Sequence, residues 1–224
     1  MKVYEILDPY LAHNLKNPTD SSIMAIHSPE QAAELLKREY KTFVDAYSNS
    51  HGRLFRGIKE EKDADIIGAH IRPDRKPLYM GPNNQKLLTK AFDLIGLKAN
   101  RTNSIFCSSD KYVANSWGEP YIIFVKDGWS GTIFKDIRTD YVFNYAMRVV
   151  DDAIMEFEED ETKQVEYIKE QLLKKTPLQF SSSSHLSNII NSNYVDILIT
   201  GSKYLGLRYS SPFSRETLKI LGIK

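Results

Sequence analysis

The chain has 224 residues, 42% of them hydrophobic, with 13 tyrosines and 10 phenylalanines, enough for one domain with a sizeable core. Thirty basic and 29 acidic residues leave a formal charge of +1, so no global field gathers nucleic acid and a polyanion would need a local patch. The single cysteine, Cys107, excludes an internal disulfide and any cysteine-based zinc cluster.

Residues 1–27 are weakly patterned, with Pro9, Pro18 and a turn-like Asn17–Ser22, and the opening Met1-Lys2-Val3-Tyr4-Glu5 predicts no secretory signal. Ser28-Pro29-Glu30-Gln31 is a helix start, and Ala32, Leu35, Leu36, Tyr40, Phe43 and Val44 continue at helical spacing, which predicts a helix over 29–47. A strand carrying Leu54 and Phe55 follows, then a charge run from Lys59 to Asp65 and an irregular basic stretch, Arg72–Pro77. Leu87, Leu88, Ala91, Phe92 and Ile95 form one helical face closed by Gly96. Strand Ser104–Cys107, helix Lys111–Trp117 and strand Tyr121–Val125 come next, and Asp127-Gly128 predicts a turn with Thr132–Phe134 returning antiparallel.

From Tyr141 to Lys175 two apolar stripes predict two helices, with five carboxylates between Glu156 and Glu161 read as a solvated helix end or inter-helix turn. Ser181–Ser184 is a polar linker before an amphipathic turn at Leu186–Ile190. Strands Tyr194–Ile199 and Tyr204–Tyr209 and a terminal helix, Ser214–Leu221, complete the chain. The apolar runs are strand-length and predict no membrane span, so a cytoplasmic protein is expected. Strands joined by turns and helical insertions, without regular strand–helix alternation, predict an α+β fold.

Three segments carry the chemistry. Leu54–Gly57 is a strand bearing Arg56. Ser104–Asp110 is a strand ending in the hydroxyls Ser108 and Ser109, followed by Ala114 and Trp117 on a short helix and the apolar strand Tyr121–Val125. Tyr194–Tyr204 contains a strand that begins at a carboxylate, Asp196, and turns at Gly201. In that order they resemble the Arg–Ser–Glu signature of the mono-ADP-ribosyltransferase toxin fold. Leu54–Gly57, Arg72–Pro77 and Ser104–Lys111 are also similar to tailed-bacteriophage proteins of this type. The resemblance covers about residues 53–135 and 190–209 and leaves the helical part at 140–175 unmatched.

The resemblance implies a split antiparallel sheet core with flanking and inserted helices: a helical region over 1–50, then an ADP-ribosyltransferase-like domain over 51–224 with a helical insertion at about 140–190. It implies NAD as substrate and a host protein or nucleic acid as acceptor, with no membrane partner. Breaking the bond between nicotinamide and ribose gives the sugar oxocarbenium character, as in glycoside hydrolysis. Asp196 and Ser108 take the catalytic roles, the first stabilising that charge and the second orienting its strand around the ribose. Arg56, with a fork of donors for phosphate or ribose oxygens, binds NAD together with Gly57, Ser108, Ser109, Trp117 and Tyr194. Trp117 or Phe124 is placed to stack nicotinamide, and both also suit a core.

The pattern departs from the family in three places. Asp110 replaces a third hydroxyl and also suits a helix cap. Asp196 replaces glutamate and is one methylene shorter. Tyr194 stands where arginine-modifying members carry a second glutamate, which leaves the acceptor open. Two other readings stand beside this one. A non-catalytic protein on the same scaffold would serve as a virion component or host-factor binder. A nucleic-acid binder would use Arg72, Arg75, Lys76 and Arg101.

Overall fold

A computed structural model of the chain describes residues 26–59, 64–73, 80–137, 142–192, 194 and 196–224. Arg75 and Lys76 of the basic stretch, residues 1–25 and most of the charge run after Lys59 lie outside them. Helix α1 (Pro29–Glu39) begins where the sequence signals it. The Ser28 hydroxyl accepts from the Gln31 N–H, and the Gln31 side chain accepts from the His27 N–H at 2.7 Å. The helix does not run on to 47. It breaks at Tyr40 and restarts as α2 (Lys41–Ser48), because the Asp127 carboxylate accepts from the N–H groups of Lys41 and Thr42 at 3.1 and 3.0 Å. A cap supplied from 85 residues away leaves no trace in local periodicity.

Among the described residues, eight strands form two four-stranded sheets in which every pairing is antiparallel. The first has the order β1 (Phe55–Ile58), β4 (Glu119–Val125), β8 (Lys203–Arg208), β2 (Ile66–His70). The second has the order β3 (Ile105–Cys107), β7 (Ile197–Thr200), β5 (Ser130–Phe134), β6 (Pro177–Phe180). The class is therefore α+β, as expected. Strand β4 is buried along Pro120–Val125, as suits a central strand covered on both faces.

The Asp127-Gly128 turn does not make the predicted hairpin: β4 and β5 belong to different sheets, and the turn carries the chain from one to the other. The β7–β8 connection crosses back beside it. A Cβ on Gly201 would stand 3.3 Å from the Trp129 Cβ, so that connection packs against the first with little room to spare. Away from these crossings, among the described residues, the sheets are joined by the bridge of Phe55 to Ser108.

The apolar interior forms two clusters. The larger one lies among the sheets, α1, α2, α7 (Ser183–Ile190) and α8 (Pro212–Ile220), so the N-terminal helices share a core with the strands. The smaller one joins α3 (Pro82–Ile95), α5 (Val142–Phe157) and α6 (Glu161–Leu173). The carboxylate run between α5 and α6 is the expected inter-helix turn: Glu158 takes a left-handed φ of 42°, and Asp160 caps α6. Glu161 meets Lys86 at 2.8 Å and also pairs with Lys90, tying α6 to α3. Hydrogen bonds from these two lysines pull its carboxyl from 4.5 to about 2. A depressed folded-state pKa gives stability that is present above about pH 4.5 and is lost as the pH falls toward 2. Glu161→Gln is expected to flatten the acid limb of the unfolding midpoint measured against pH.

Candidate functional site

The Phe55–Ser108 bridge brings the three sequence segments together. Phe55 and Ser108 exchange backbone hydrogen bonds of 2.7 and 2.8 Å, which docks the start of β1 on the end of β3. One residue along β1, the Arg56 guanidinium reaches across and donates to the Phe106 carbonyl at 3.1 Å. On the other side of β3, Cys107 pairs with Ile197 in the β3–β7 register. Asp196 stands just before β7 begins, and the Ser109 N–H bonds the Tyr194 carbonyl two residues ahead of it. The segments carrying Arg56, Ser108 and Asp196, separated by 52 and 88 residues, thus converge on the end of β3, with Arg56 on the side of Cys107.

Burial decides what each side chain can do. Ser108 is 0% exposed: its hydroxyl donates to the Tyr194 carbonyl at 3.3 Å and accepts from the Asp110 N–H at 3.0 Å. The Ser109 hydroxyl and N–H both reach the same Tyr194 carbonyl at 3.0 Å. The serines therefore brace the segment leading to Asp196 against the end of β3, which makes Ser108 a strand-orienting group. Asp110 caps α4 (Lys111–Trp117) by accepting from the Tyr112 N–H at 2.8 Å, so the departure from a third hydroxyl serves the helix. Asp196 is 2% exposed and Tyr194 4%. Arg56 is half-buried, and among the described residues its Nε is buried without a hydrogen-bond partner.

One expectation changes. Gly57 is expected among the NAD-binding residues, but a Cβ there would lie 1.9 Å from the Ala114 carbonyl and 2.8 Å from the Trp117 Cβ. Its small size serves the close packing of β1 against α4. Phe124 is fully buried, edge-on to Tyr47 at 5.1 Å, so it belongs to the core and does not stack a ligand. Trp117 is half-buried on α4 beside Gly57.

Arg101 is the site neighbour that motif reasoning assigned elsewhere. The sequence groups it with a basic loop; in the fold its guanidinium lies 5.4 Å over the Phe106 ring, within the electrostatic reach of Asp196. Burial draws Arg101 down to about 10, and the Asp196 charge opposes that fall. On the adjoining position of β3, burial pushes the Cys107 thiol up to about 12, so it stays protonated and inert.

A groove of about 430 Å³ lies elsewhere, between α3 and α6, lined by Lys90, Leu94, Glu161 and Val165 among others. It shares no residue with the strand-end cluster, and its Lys90 and Glu161 already pair with each other. Among the described residues no group of three or more histidine, cysteine or acidic side chains is placed to hold a metal, and no helix is long and apolar enough to cross a membrane. Compared with family models, with curated proteins and with solved structures, the chain shows no match in any of the three.

Proposed function

We propose that the chain is an NAD-dependent mono-ADP-ribosyltransferase of the Arg–Ser–Glu type, phage-encoded and acting on a host protein or nucleic acid. The observation that carries this reading is the convergence of the three segments on the end of β3, through the Phe55–Ser108 bridge beside Arg56 and the serine bonds to the Tyr194 carbonyl two residues before Asp196. Two antiparallel sheets joined at that bridge are compatible with the split-sheet core the reading expects.

In the proposed reaction the bond between the nicotinamide nitrogen and the ribose C1 breaks, and its electron pair leaves with neutral nicotinamide. The positive charge is shared by C1 and the ring oxygen, and the Asp196 carboxylate stabilises it from a buried position where solvent screens little. The acceptor's nucleophile then bonds to C1 and gives up its proton. Arg56 holds the dinucleotide's anionic groups, and Ser108 and Ser109 fix the segment that presents the carboxylate. Arg56, Arg101 and Phe106 are half-buried, whereas Asp196 is 2% exposed.

Calorimetric titration with NAD tests the reading. Arg56→Ala removes charge-assisted hydrogen bonds worth about 1.5–3 kcal/mol, so affinity should fall about ten- to a hundredfold with little change in unfolding midpoint. Normal binding by that variant would make Arg56 structural, and no NAD binding by the wild type would end the proposal. A second reading, a non-catalytic protein on this scaffold serving as virion component or host-factor binder, is favoured by the burial of a carboxylate one methylene short of the family's. Its signature is NAD binding without nicotinamide release.

A further inference from the structure

The turn that precedes β3 is braced by five side-chain hydrogen bonds. Asn100, 5% exposed, accepts through Oδ1 from the Thr102 N–H at 2.9 Å and the Thr102 hydroxyl at 2.7 Å. Asn103 accepts through its own Oδ1 from the Asn100 N–H at 2.9 Å and the Ser104 hydroxyl at 3.0 Å, and donates to the Lys98 carbonyl at 2.8 Å. Arg101 sits inside this brace. Its guanidinium turns back along β3 onto the Phe106 ring. Facing residues in an antiparallel pair share a side of the sheet, and Phe106 faces Leu198. Phe106 therefore lies on the same side of the sheet as Leu198, and Asp196, two residues before Leu198, lies within electrostatic reach of Arg101.

We propose that Arg101 is a positioning residue for Asp196: held by the asparagine-braced turn and stacked on Phe106, its guanidinium balances the buried carboxylate and fixes it at the start of β7. A carboxylate removed from water favours its neutral form unless a cation lies close. Arginine suits the task better than lysine, since a guanidinium keeps its charge under burial and stacks on an aromatic face. Of the other titratable groups, Asp110 caps α4 two residues past Ser108 and Tyr194 precedes Asp196 by two residues, while Cys107 and the Arg56 that acts on it lie on the opposite side of β3. Among these described groups only the two arginines are cationic, and Arg56 is seated on the Phe106 carbonyl. The consequence for turnover rests on the NAD reading; the pairing itself does not.

The test uses the full chain with Arg101→Gln, Arg101→Lys, Asp196→Asn and the double variant Arg101→Gln/Asp196→Asn. In nicotinamide release, Arg101→Gln should lower kcat with little change in KM and move the acid limb of the pH profile up by about one unit or more. Arg101→Lys should return the limb part of the way. In urea unfolding, Arg101→Gln should lower the midpoint at neutral pH. That loss should shrink on acidification, as the carboxylate protonates, and vanish in the Asp196→Asn background. Arg101→Met, which keeps the stem's packing on Phe106, replaces the glutamine variant if that one fails to fold. Wild-type protein that releases no nicotinamide would defeat the transferase reading while the unfolding cycle still decided the pairing. An unshifted acid limb, or unfolding losses that simply add at every pH, would overturn the role given to Arg101.

Discussion

Asp196→Asn should abolish nicotinamide release, by about a hundredfold or more, while the chain still folds. The substitution keeps the volume of a 2%-exposed side chain and removes only its charge. If an oxocarbenium-like centre develops beside Asp196, an amide offers it a dipole in place of a full negative charge, and in a buried site that difference is large. The fold should survive because the segment before β7 is fixed through backbone, by the Tyr194 carbonyl and the two serines. Some stability will go, since Arg101 loses the charge that supports it. Asp196→Glu should also slow the reaction, because a brace built around the shorter side chain leaves the extra methylene to push the carboxylate past its target. Chromatographic measurement of nicotinamide decides the matter. Equal rates in wild type and the asparagine variant would remove Asp196 from the chemistry. A silent wild type with a trace of activity restored by glutamate would mark a site that has lost its function.

Local signals were legible where the physics is local. The Ser28 cap, the Gly96 stop at φ 81° and helix α4 over Lys111–Trp117 all follow from side chains within a few residues. The β2 strand was hidden because Ile66–His70 follows a charge run and ends in an exposed histidine at an edge. Strand β6 begins with Pro177 and is only half-buried, as an edge strand can be, so it shows no apolar alternation. The break at Tyr40 and the crossing after β4 depend on contacts made by Asp127 and on sheet membership, which no window of sequence contains.

The candidate site divides the same way. The strands and turns around Arg56, Ser108 and Asp196 were legible because each is a short local pattern. Arg101 was not, because its meaning comes from Asn100 and Asn103 turning it onto β3, and a lone arginine after Ala99-Asn100 reads as solvated chain. Gly57 was legible as a position needing no side chain, but only the fold shows that α4, and not a ligand, takes the space.

The largest loss of stability is expected at Tyr47, which also supports the strand that carries Arg56. Tyr47 is fully buried on α2, edge-on to Phe43 at 5.9 Å and Phe124 at 5.1 Å. Its hydroxyl donates to the Ile123 carbonyl on β4 and accepts from the Leu54 N–H at 3.3 Å, and burial raises its pKa so that it remains a donor. Leu54 in turn accepts from the Ile123 N–H at 3.0 Å. One phenol thus completes the hydrogen bonding between β4 and the residue just before β1. Tyr47→Ala should cost about 3–5 kcal/mol through the cavity it leaves. Tyr47→Phe keeps the ring and isolates the polar term. It strands a buried N–H and weakens the bonding of a buried carbonyl, a cost of about 1–3 kcal/mol. Urea unfolding of both variants separates packing from hydrogen bonding, and a phenylalanine variant as stable as the wild type would show that the hydroxyl contributes nothing net. Because Leu54 lies two residues before Arg56, the loosening it suffers in the phenylalanine variant should also reduce NAD affinity, measured below the temperature at which that variant begins to unfold.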